Sequence, residues 1–558
     1  MHSYCNQQSL ALLSLGLMAN ALYAQSVPDA GSLRQQIEQQ RNPVTPQPNP
    51  ARRAALLPET KPIDGMTVTV KSFAFSGNQL LSQAQLDAAL AAFLNRPLSF
   101  GDLQRAADTV TAAYREAGWM ARVSLPQQDI SEGRVSLQIF EARYGGYRFE
   151  GSPSQRVKRE DLERFFAARL EQGQALNANA LDRALLLADD LPGVSVAGTL
   201  VAGQNEGETA LVLQTTDEPF VFGDAGIDNH GARSTGNQRV TANININSPM
   251  GQGDSMGVNL LHSKGSDYGR LAWTVPVGQN GLRVGVNLSS MNYKVIDGPS
   301  ANSEAPIRGK SGSKGLDMNY PLLRSRISNV YLNAGLENKD FLTQDVKVSA
   351  DYESASWRVG LSGNHFDELG GGGANSAFVQ LTEGRLRNMH AHFQIDTIDR
   401  RYRKLNYSFS RQQTLSNDHS LFVSLNGQHA NQVLDSSERF FVGGAQSVRA
   451  YPSSELGGDR GQVINAEWRW RLDRAWVVTA FADVGRTTNL PVLAGVLAKS
   501  AQLRGQGLSL AWQGPKGLQS KLTWAQRNGN NPNPTSTGTD SDGTLKKNRI
   551  WFNASVAF

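Results

Sequence analysis

Arg449 and Asp483 are the two residues whose types and surroundings suggest a defined chemistry. Arg449 lies in the segment 438–461, which carries five glycines and three arginines. An arginine in an arbitrary loop is usually solvated. A guanidinium that meets a carboxylate where the dielectric is low instead forms a bidentate pair of specific geometry. The chemistry expected of Arg449 and Asp483 is therefore the fixing of a long loop inside a pore.

Two alternating segments follow the glycine-rich stretch and would position this pair. Segment 463–472 places its apolar residues on one face: Ile464, Ala466, Trp468, Trp470 and Leu472. Segment 476–485 repeats the alternation, which puts Phe481 and Asp483 on the opposite, inner face. Because a strand has a side-chain period of two, the pattern predicts membrane strands with one face in lipid and one in water.

The glycine-rich loop and the following strand resemble motifs of one superfamily. The loop contains Val448, Arg449, Ala450 and Tyr451. These residues resemble the VRGY motif of the sixth extracellular loop in the Omp85 superfamily. The strand contains Phe481, Asp483 and Gly485, which resemble the FxDxG motif that receives this loop. Ala450 departs from the motif glycine; where φ must be positive, alanine costs on the order of 1 kcal/mol.

A branch of the superfamily is indicated by the segment 434–444. This segment is similar to that of the two-partner-secretion branch. The branch comprises the TpsB outer-membrane transporters of the haemolysin and filamentous-haemagglutinin secretion/activation type. This resemblance covers nearly the whole chain. It implies a translocator in the outer membrane of a Gram-negative bacterium, with its small domains in the periplasm. The chain is not expected to be an enzyme.

Composition limits the class of protein independently. The 558 residues are 39% hydrophobic and 19% charged, with a mean hydropathy of −0.39. Beyond the N-terminus no apolar run is long enough to span a bilayer as a helix. The chain is therefore either soluble or a β-barrel, and the many short alternating runs favour the barrel.

Several kinds of chemistry are not expected. The only cysteine, Cys5, lies in the predicted signal peptide, so disulfides and thiolate sites are excluded from the mature chain. Eight scattered histidines give no metal constellation. The formal charge is +5 without a long basic run, which argues against nucleic acid. No cofactor or metal is expected.

The N-terminal segment divides into three parts. Residues 1–24 read as a signal peptide, cleaved after Ala21 or Ala24. Residues 25–42 contain a predicted helix, 29–41, that is too polar for a core helix. The resemblance implies that this helix is a plug in the barrel lumen. Residues 43–66 are proline-rich and predict an extended linker.

Two copies of a β-α-α-β-β unit follow, at 67–143 and 144–218. The order of elements resembles the POTRA domain. A small mixed sheet leaves an edge strand that can pair with an unfolded polypeptide. We expect the edge at 194–201 of the second unit, or the helix groove beside it, to receive the client. The candidate residues are Val194, Val196, Thr199 and Val201.

Residues 219–558 predict the barrel. Their 340 positions hold about sixteen antiparallel strands, an even number as such barrels require. The segment 436–462 is the expected lumen loop. The last strand ends at Phe558, which resembles the signal read by the barrel-assembly machinery.

The resemblance also implies the partners. They are a secreted exoprotein of the TpsA type in unfolded form (an adhesin, a haemolysin or a contact-dependent toxin) and the lipids of the outer membrane. The transporter is expected to be a monomer.

Two alternatives remain open at this point. The first is an Omp85-type assembly factor for outer-membrane proteins, although two repeats and a plug helix argue against it. The second is an outer-membrane serine lipase, because residues 253–257 fit G-x-S-x-G around Ser255. That mechanism needs a strand, a sharp turn and a helix, whereas the sequence here predicts a turn between two strands.

Overall fold

The computed structural model describes residues 28–40, 67–130, 132–205, 207–298, 306–345, 349–390, 401–491 and 497–558. The predicted signal peptide at 1–24 and the linker at 43–66 lie outside these ranges. The first described helix is α1, Ala30–Gln40, within the helix predicted at 29–41. Among the described helices, none has the length and apolarity needed to cross a membrane.

The first small α/β unit is built from five strands and two helices. They are β1 Thr67–Thr69, β2 Ser72–Ser76, α2 Gln83–Leu90, β3 Pro97–Ser99, α3 Phe100–Glu116, β4 Ala121–Ser124 and β5 Arg134–Glu141. The sheet order is β2-β5-β4, with β2 parallel to β5. Ser99 and Asp102 form a capping box at the start of α3.

The predicted β-α-α-β-β order places one strand at the start of this unit, whereas the structure divides it into two. β1 pairs with β3, whereas β2 pairs with β5. Between them the carbonyl of Val70 accepts from the amide of Asn95 at 2.8 Å, and the amide of Lys71 donates to Gly133 at 2.7 Å. The backbone therefore changes pairing partner here, which an alternating pattern cannot show.

The second small unit has the sheet order β6-β8-β7, with β7 at an edge. Its elements are β6 Arg143–Glu150, α4 Arg159–Ala167, α5 Ala178–Asp189, β7 Val194–Ala202 and β8 Glu208–Asp217. The apolar faces of α4 and α5 pack on this sheet; Phe165 and Phe166 are fully buried there.

Sixteen antiparallel strands form a closed barrel, as predicted. They are β9 Val221–Asp228, β10 Arg239–Asn247, β11 Ser255–Ser263, β12 Ser266–Val277, β13 Leu282–Lys294, β14 Arg308–Arg324, β15 Ser328–Gln344, β16 Ser349–Asp367, β17 Gly373–His390, β18 Arg401–Thr414, β19 His419–Ala430, β22 Arg460–Arg471, β23 Trp476–Asn489, β24 Lys499–Gln513, β25 Leu518–Arg527 and β26 Asn548–Ala557. β26 pairs with β9, so the sheet has no free edge.

The barrel wall has an apolar outer face and a polar inner face. On β24, Leu508 is exposed on the outside, whereas its neighbour Ser509 is buried inside. On β22, Ile464 and Trp468 face outward and Asn465 faces inward. The alternation read from the sequence therefore places lipid-facing and lumen-facing side chains correctly on these strands.

The second α/β unit contacts one rim of the barrel. Arg324, at the end of β14, donates to both carboxylate oxygens of Asp190 at 2.8 and 2.7 Å. Arg326 pairs with Asp182 at 2.9 Å. The resemblance of the α/β units to POTRA domains implies that this rim is the periplasmic one and that the opposite rim faces outward from the cell.

The G-x-S-x-G segment forms the turn between β10 and β11 at this periplasmic rim. Ser255 is the first residue of β11, and a strand follows it, not a helix. Asp254 is buried and accepts hydrogen bonds from the amide of Met250 and the indole of Trp273. The segment therefore has the geometry of a hairpin turn, without the strand–turn–helix arrangement of a serine hydrolase.

Candidate functional site

The connection between β19 and β22, residues 431–459, folds back into the barrel and is called the lumen loop below. Its bounds are set by Ala430 and Arg460, the ends of these strands, so it begins earlier and ends earlier than the predicted 436–462. Two short strands, β20 Phe440–Val442 and β21 Leu456–Gly458, pair within it. Val448 and Tyr451 are fully buried against the wall. The loop is thus a packed element inside the barrel.

Arg449 is held by two carboxylates of neighbouring wall strands. Its Nη2 and Nε donate to the two oxygens of Asp483 at 2.7 and 2.9 Å. Its Nη1 donates to Glu467 at 2.7 Å. The guanidinium also lies 3.5 Å from the ring centroid of Phe481. The structure therefore brings together Arg449, Phe481 and Asp483, which the sequence singled out.

The Asp483 carboxylate is fully engaged. Besides the Arg449 side chain, it accepts from the Arg449 amide at 3.0 Å and from Asn465 at 2.7 Å. The carbonyl of Arg449 accepts from the indole of Trp551 at 2.7 Å. Burial by itself lowers the pKa of Arg449, but the hydrogen bonds and charges of Asp483 and Glu467 raise it above the ordinary value. The guanidinium is consequently a permanent cation at this position.

Close packing explains the glycines of the receiving wall. A side chain at Gly485 would overlap the methyl groups of Val442 and Val448, and one at Gly505 would overlap Ala450. Ala450 is not among the residues with positive φ. The backbone cost considered for alanine at this position therefore does not arise.

Glu438 forms a second ionic contact of the lumen loop, which sequence reasoning missed. Its buried carboxylate lies 3.0 Å from Nζ of Lys339 and 2.8 Å from Nζ of Lys404. Its carbonyl accepts from Gln428 at 2.8 Å. Burial alone would raise the pKa of Glu438, but the two ammonium groups lower it to about 2.

A signal for this second contact exists in the sequence. Leu405 continues the outward alternation of its strand, so Lys404 beside it must point into the lumen. The inward position of a lysine indicates a luminal partner, although alternation cannot identify Glu438 as that partner.

Helix α1 lies in the lumen against the wall and the lumen loop. Arg34 is buried and donates to three wall hydroxyls: Ser289 at 2.8 Å, Ser311 at 3.2 Å and Ser313 at 2.6 Å. The apolar side of the helix packs against wall residues of one cluster: Tyr268, Met291, Tyr293, Val295, Ile307 and Phe341.

The two ends of α1 contact the base of the lumen loop. Ser436 donates to Asp29 at 2.8 Å. Gln39 exchanges two hydrogen bonds with the backbone of Phe441, at 2.8 and 3.0 Å. The helix and the loop therefore share one interface within the lumen.

The candidate client-binding residues lie on β7, away from the lumen loop. Val194 and Val196 are buried in the core of the second α/β unit, whereas Thr199 is exposed and Val201 is partly exposed. The side chains of the two buried valines are thus unavailable to a partner. Only the backbone edge of β7 and the exposed side chains remain accessible.

Phe558 lies at the barrel seam. Its amide donates to the carbonyl of Gly223, and the amide of Gly223 donates to the carbonyl of Phe558, both at 3.0 Å. The residue is 59% exposed. The terminal residue therefore extends the pairing of β26 with β9.

A closed sixteen-stranded barrel with a POTRA domain, an internal loop and a luminal helix defines an outer-membrane transporter. The family described as haemolysin secretion/activation protein ShlB/FhaC/HecB matches residues 207–504, and the ShlB-type POTRA domain matches residues 68–142. The chain belongs to this haemolysin secretion/activation family, within the Omp85 superfamily. Its POTRA domain accordingly lies on the periplasmic side of the outer membrane.

Relatives and a solved structure are similar to this chain over most of their length. The heme/hemopexin transporter protein HuxB of Haemophilus influenzae strain 86-028NP is 23% identical over 528 residues, covering 90% of this chain and 91% of the relative. The outer membrane transporter CdiB of Escherichia coli is 25% identical over 438 residues, covering 77% and 72%. A solved structure of CdiB from Escherichia coli has a TM-score of 0.68 at 21% identity, covering 100% and 99%.

Glu455 connects the tip of the lumen loop to the segment 528–547 between β25 and β26. Its buried carboxylate accepts from the amide of Ser541 at 3.0 Å and also from the side chains of Ser541 and Asn531. Burial, with a smaller contribution from the charge of Asp540, raises its pKa to about 7. The carboxyl is therefore partly protonated near neutral pH.

This contact should weaken as the pH rises. The pKa of Glu455 is raised from its ordinary value of 4.5 to about 7. The contribution of this group to stability is therefore fully present below pH 4.5 and is lost as the pH rises through about 7. We expect hydrogen exchange in 531–541, corrected for intrinsic rates, to be faster at about pH 8 than at about pH 5. Glu455→Gln should remove this dependence, whereas Glu383→Gln, on the outer wall, should keep it. An unchanged pH dependence in Glu455→Gln would contradict this assignment.

Proposed function

We propose that this transporter exports one large partner exoprotein, of the TpsA type, from the periplasm to the cell surface in an unfolded state. The observation that carries the proposal is that the lumen contains a loop anchored to the wall by Arg449 and a helix held mainly by side-chain contacts. Relatives are named as transporters of heme/hemopexin and of haemolysin. The corresponding client here is an adhesin, a haemolysin or a contact-dependent toxin.

The first step is capture by the second POTRA unit. β7 pairs with β8 on one side only. On the other side, the amide of Val196 donates to Asp189 at 2.8 Å and is already satisfied. In an antiparallel ladder alternate residues point the same way, so Gly198 and Leu200 also direct their backbone groups to this edge. An extended client can pair there largely independently of its sequence.

The second step is displacement of α1. The helix makes polar contacts with wall hydroxyls and with the lumen loop, and such contacts can be exchanged for water or for a client. The client then passes beneath the lumen loop, which stays on the wall. Folding of the client outside the cell supplies the direction, and the transporter acts as a monomer.

Crosslinking tests the capture step. A photoreactive residue placed at Ala197, Thr199 or Val201 should crosslink to a client halted during export, because these exposed or partly exposed positions border the free edge. The same residue at Asp87, exposed on α2 of the first unit, should crosslink much less. A scan of residues 67–217 without any client contact would reject capture by these domains.

Arg449→Ala tests the anchored loop. Removing the guanidinium leaves the buried Asp483 without its ionic partner, which costs about 3–5 kcal/mol for buried pairs. We expect client export to fall at least about ten-fold while the barrel still inserts, measured by surface client and by heat-modifiable mobility. Arg469→Ala is a matched control, since Arg469 shares Glu467 but does not contact Asp483. Normal export by a well-inserted Arg449→Ala protein would contradict the role.

The plug assignment is tested by single-channel conductance. Arg34→Ala removes three hydrogen bonds to wall serines, each worth about 1 kcal/mol. The open state should become more frequent, and deletion of 29–41 should enlarge the effect. Gln35→Ala, at the next and less buried position, is the control. If the deletion left the conductance unchanged, α1 would not be a plug.

A further inference from the structure

The outer wall of the barrel carries a cavity of about 730 Å³ that lies outside the lumen. Lys314, Arg385 and Arg401 line it. Their sequence neighbours Ser313 and Leu386 are buried in the lumen. Because neighbouring side chains of a strand point to opposite faces, the lysine and the arginines point away from the lumen. They are all exposed.

The cations belong to one row across five strands. Lys314 pairs with Asn338, Asn338 with Ala355, Ala355 with Arg385, and Arg385 with Arg401. Two small neutral residues thus separate the lysine from the two arginines. Adjacent strands lie about 4.8 Å apart, so Lys314 and Arg385 are roughly 14 Å apart along the wall. This arrangement leaves room for a headgroup between positive charges.

An apolar row lies directly beneath the cations, nearer the periplasmic rim. Leu316 pairs with Leu336, which pairs with Trp357. All three side chains are exposed on the outer face. The row ends at Glu383, whose carboxylate is paired with Arg403 at 2.7 Å. The cavity is therefore amphipathic, with its positive side towards the outside of the cell.

A charged side chain on the outer wall of the barrel, beside the bilayer, needs a partner of opposite charge. Among the residues that the structure describes, Lys314 and Arg385 form no ion pair. Uncompensated cations beside a bilayer attract anionic lipid headgroups, and the attraction is about 1 kcal/mol for each lysine or arginine. A zwitterionic headgroup offers no net charge to such a row, so charge complementarity selects a lipid whose phosphates give it a net negative charge.

We propose that this cavity binds a phosphorylated glycolipid of the outer leaflet, of the lipopolysaccharide class. Its phosphates lie between Lys314 and Arg385, where they accept charge-assisted hydrogen bonds. Its acyl chains cover Leu316, Leu336 and Trp357. The site would hold one lipid at a fixed position on β14 to β18, independently of the exported client.

Native mass spectrometry of the full-length protein in detergent tests the site. Purified lipopolysaccharide should bind in a one-to-one complex, and the double variant Lys314→Gln/Arg385→Gln should bind it at least about ten-fold more weakly. Arg504→Gln is the matched control, since Arg504 is also exposed on the outer wall but lies on β24. The control should bind like the unmodified protein. Heat-modifiable mobility verifies that each variant is folded, and Lys314→Gln alone replaces the double variant if that fails to fold.

The remaining arms separate the ligand from its alternatives. A dephosphorylated glycolipid should bind about as weakly as lipopolysaccharide binds to the double variant. Equal affinity in the double variant and the unmodified protein, or an equal loss in Arg504→Gln, would overturn the site. If phosphatidylethanolamine bound as tightly as lipopolysaccharide, the cavity would be a general lipid contact and the proposed specific site would be rejected. If inorganic phosphate displaced lipopolysaccharide at an equal concentration, the cavity would be a site for a free anion, and the lipid assignment would be rejected.

Discussion

The ionic contact between Arg449 and Asp483 is the interaction on which the interior of this barrel depends. The wall is a closed sheet, so its backbone groups are paired and cannot hold a long internal loop by strand addition. Side chains must retain the lumen loop instead. A buried pair with its remaining hydrogen-bonding positions filled can do this, because losing one partner strands the other in a medium of low dielectric.

The lumen loop and α1 are connected through a series of charged side chains on the wall. Arg34 lies 3.9 Å from Glu337, Glu337 lies 3.7 Å from Lys339, and Lys339 lies 3.0 Å from Glu438. If α1 left the lumen, the cation at one end would be removed, and Glu337 would keep Arg358 and Lys339 as partners. Glu438 also keeps Lys404. The loop can therefore remain anchored after the helix has left.

Sequence alone predicted the strands in which apolar and polar side chains alternate. Alternation at 463–472 and 476–485 gave the faces of two wall strands, including the inward position of Asp483. It could not give the break between β1 and β2, where the backbone changes partner at Asn95 and Gly133. It also could not give Glu438 or the contacts of Arg34, because these join residues far apart in sequence across the lumen.

Ala450 shows how a departure from a motif can be accommodated by the wall. Its side chain lies against Gly505 of β24, where any larger residue would overlap it. Its backbone has no positive φ, so glycine is not required for conformation. The methyl group of Ala450 therefore fits because Gly505, across the interface, has no side chain. Alanine at both 450 and 505 would push the lumen loop away from β24. This shift would disturb the geometry of Arg449 without changing the charge of Arg449 or Asp483.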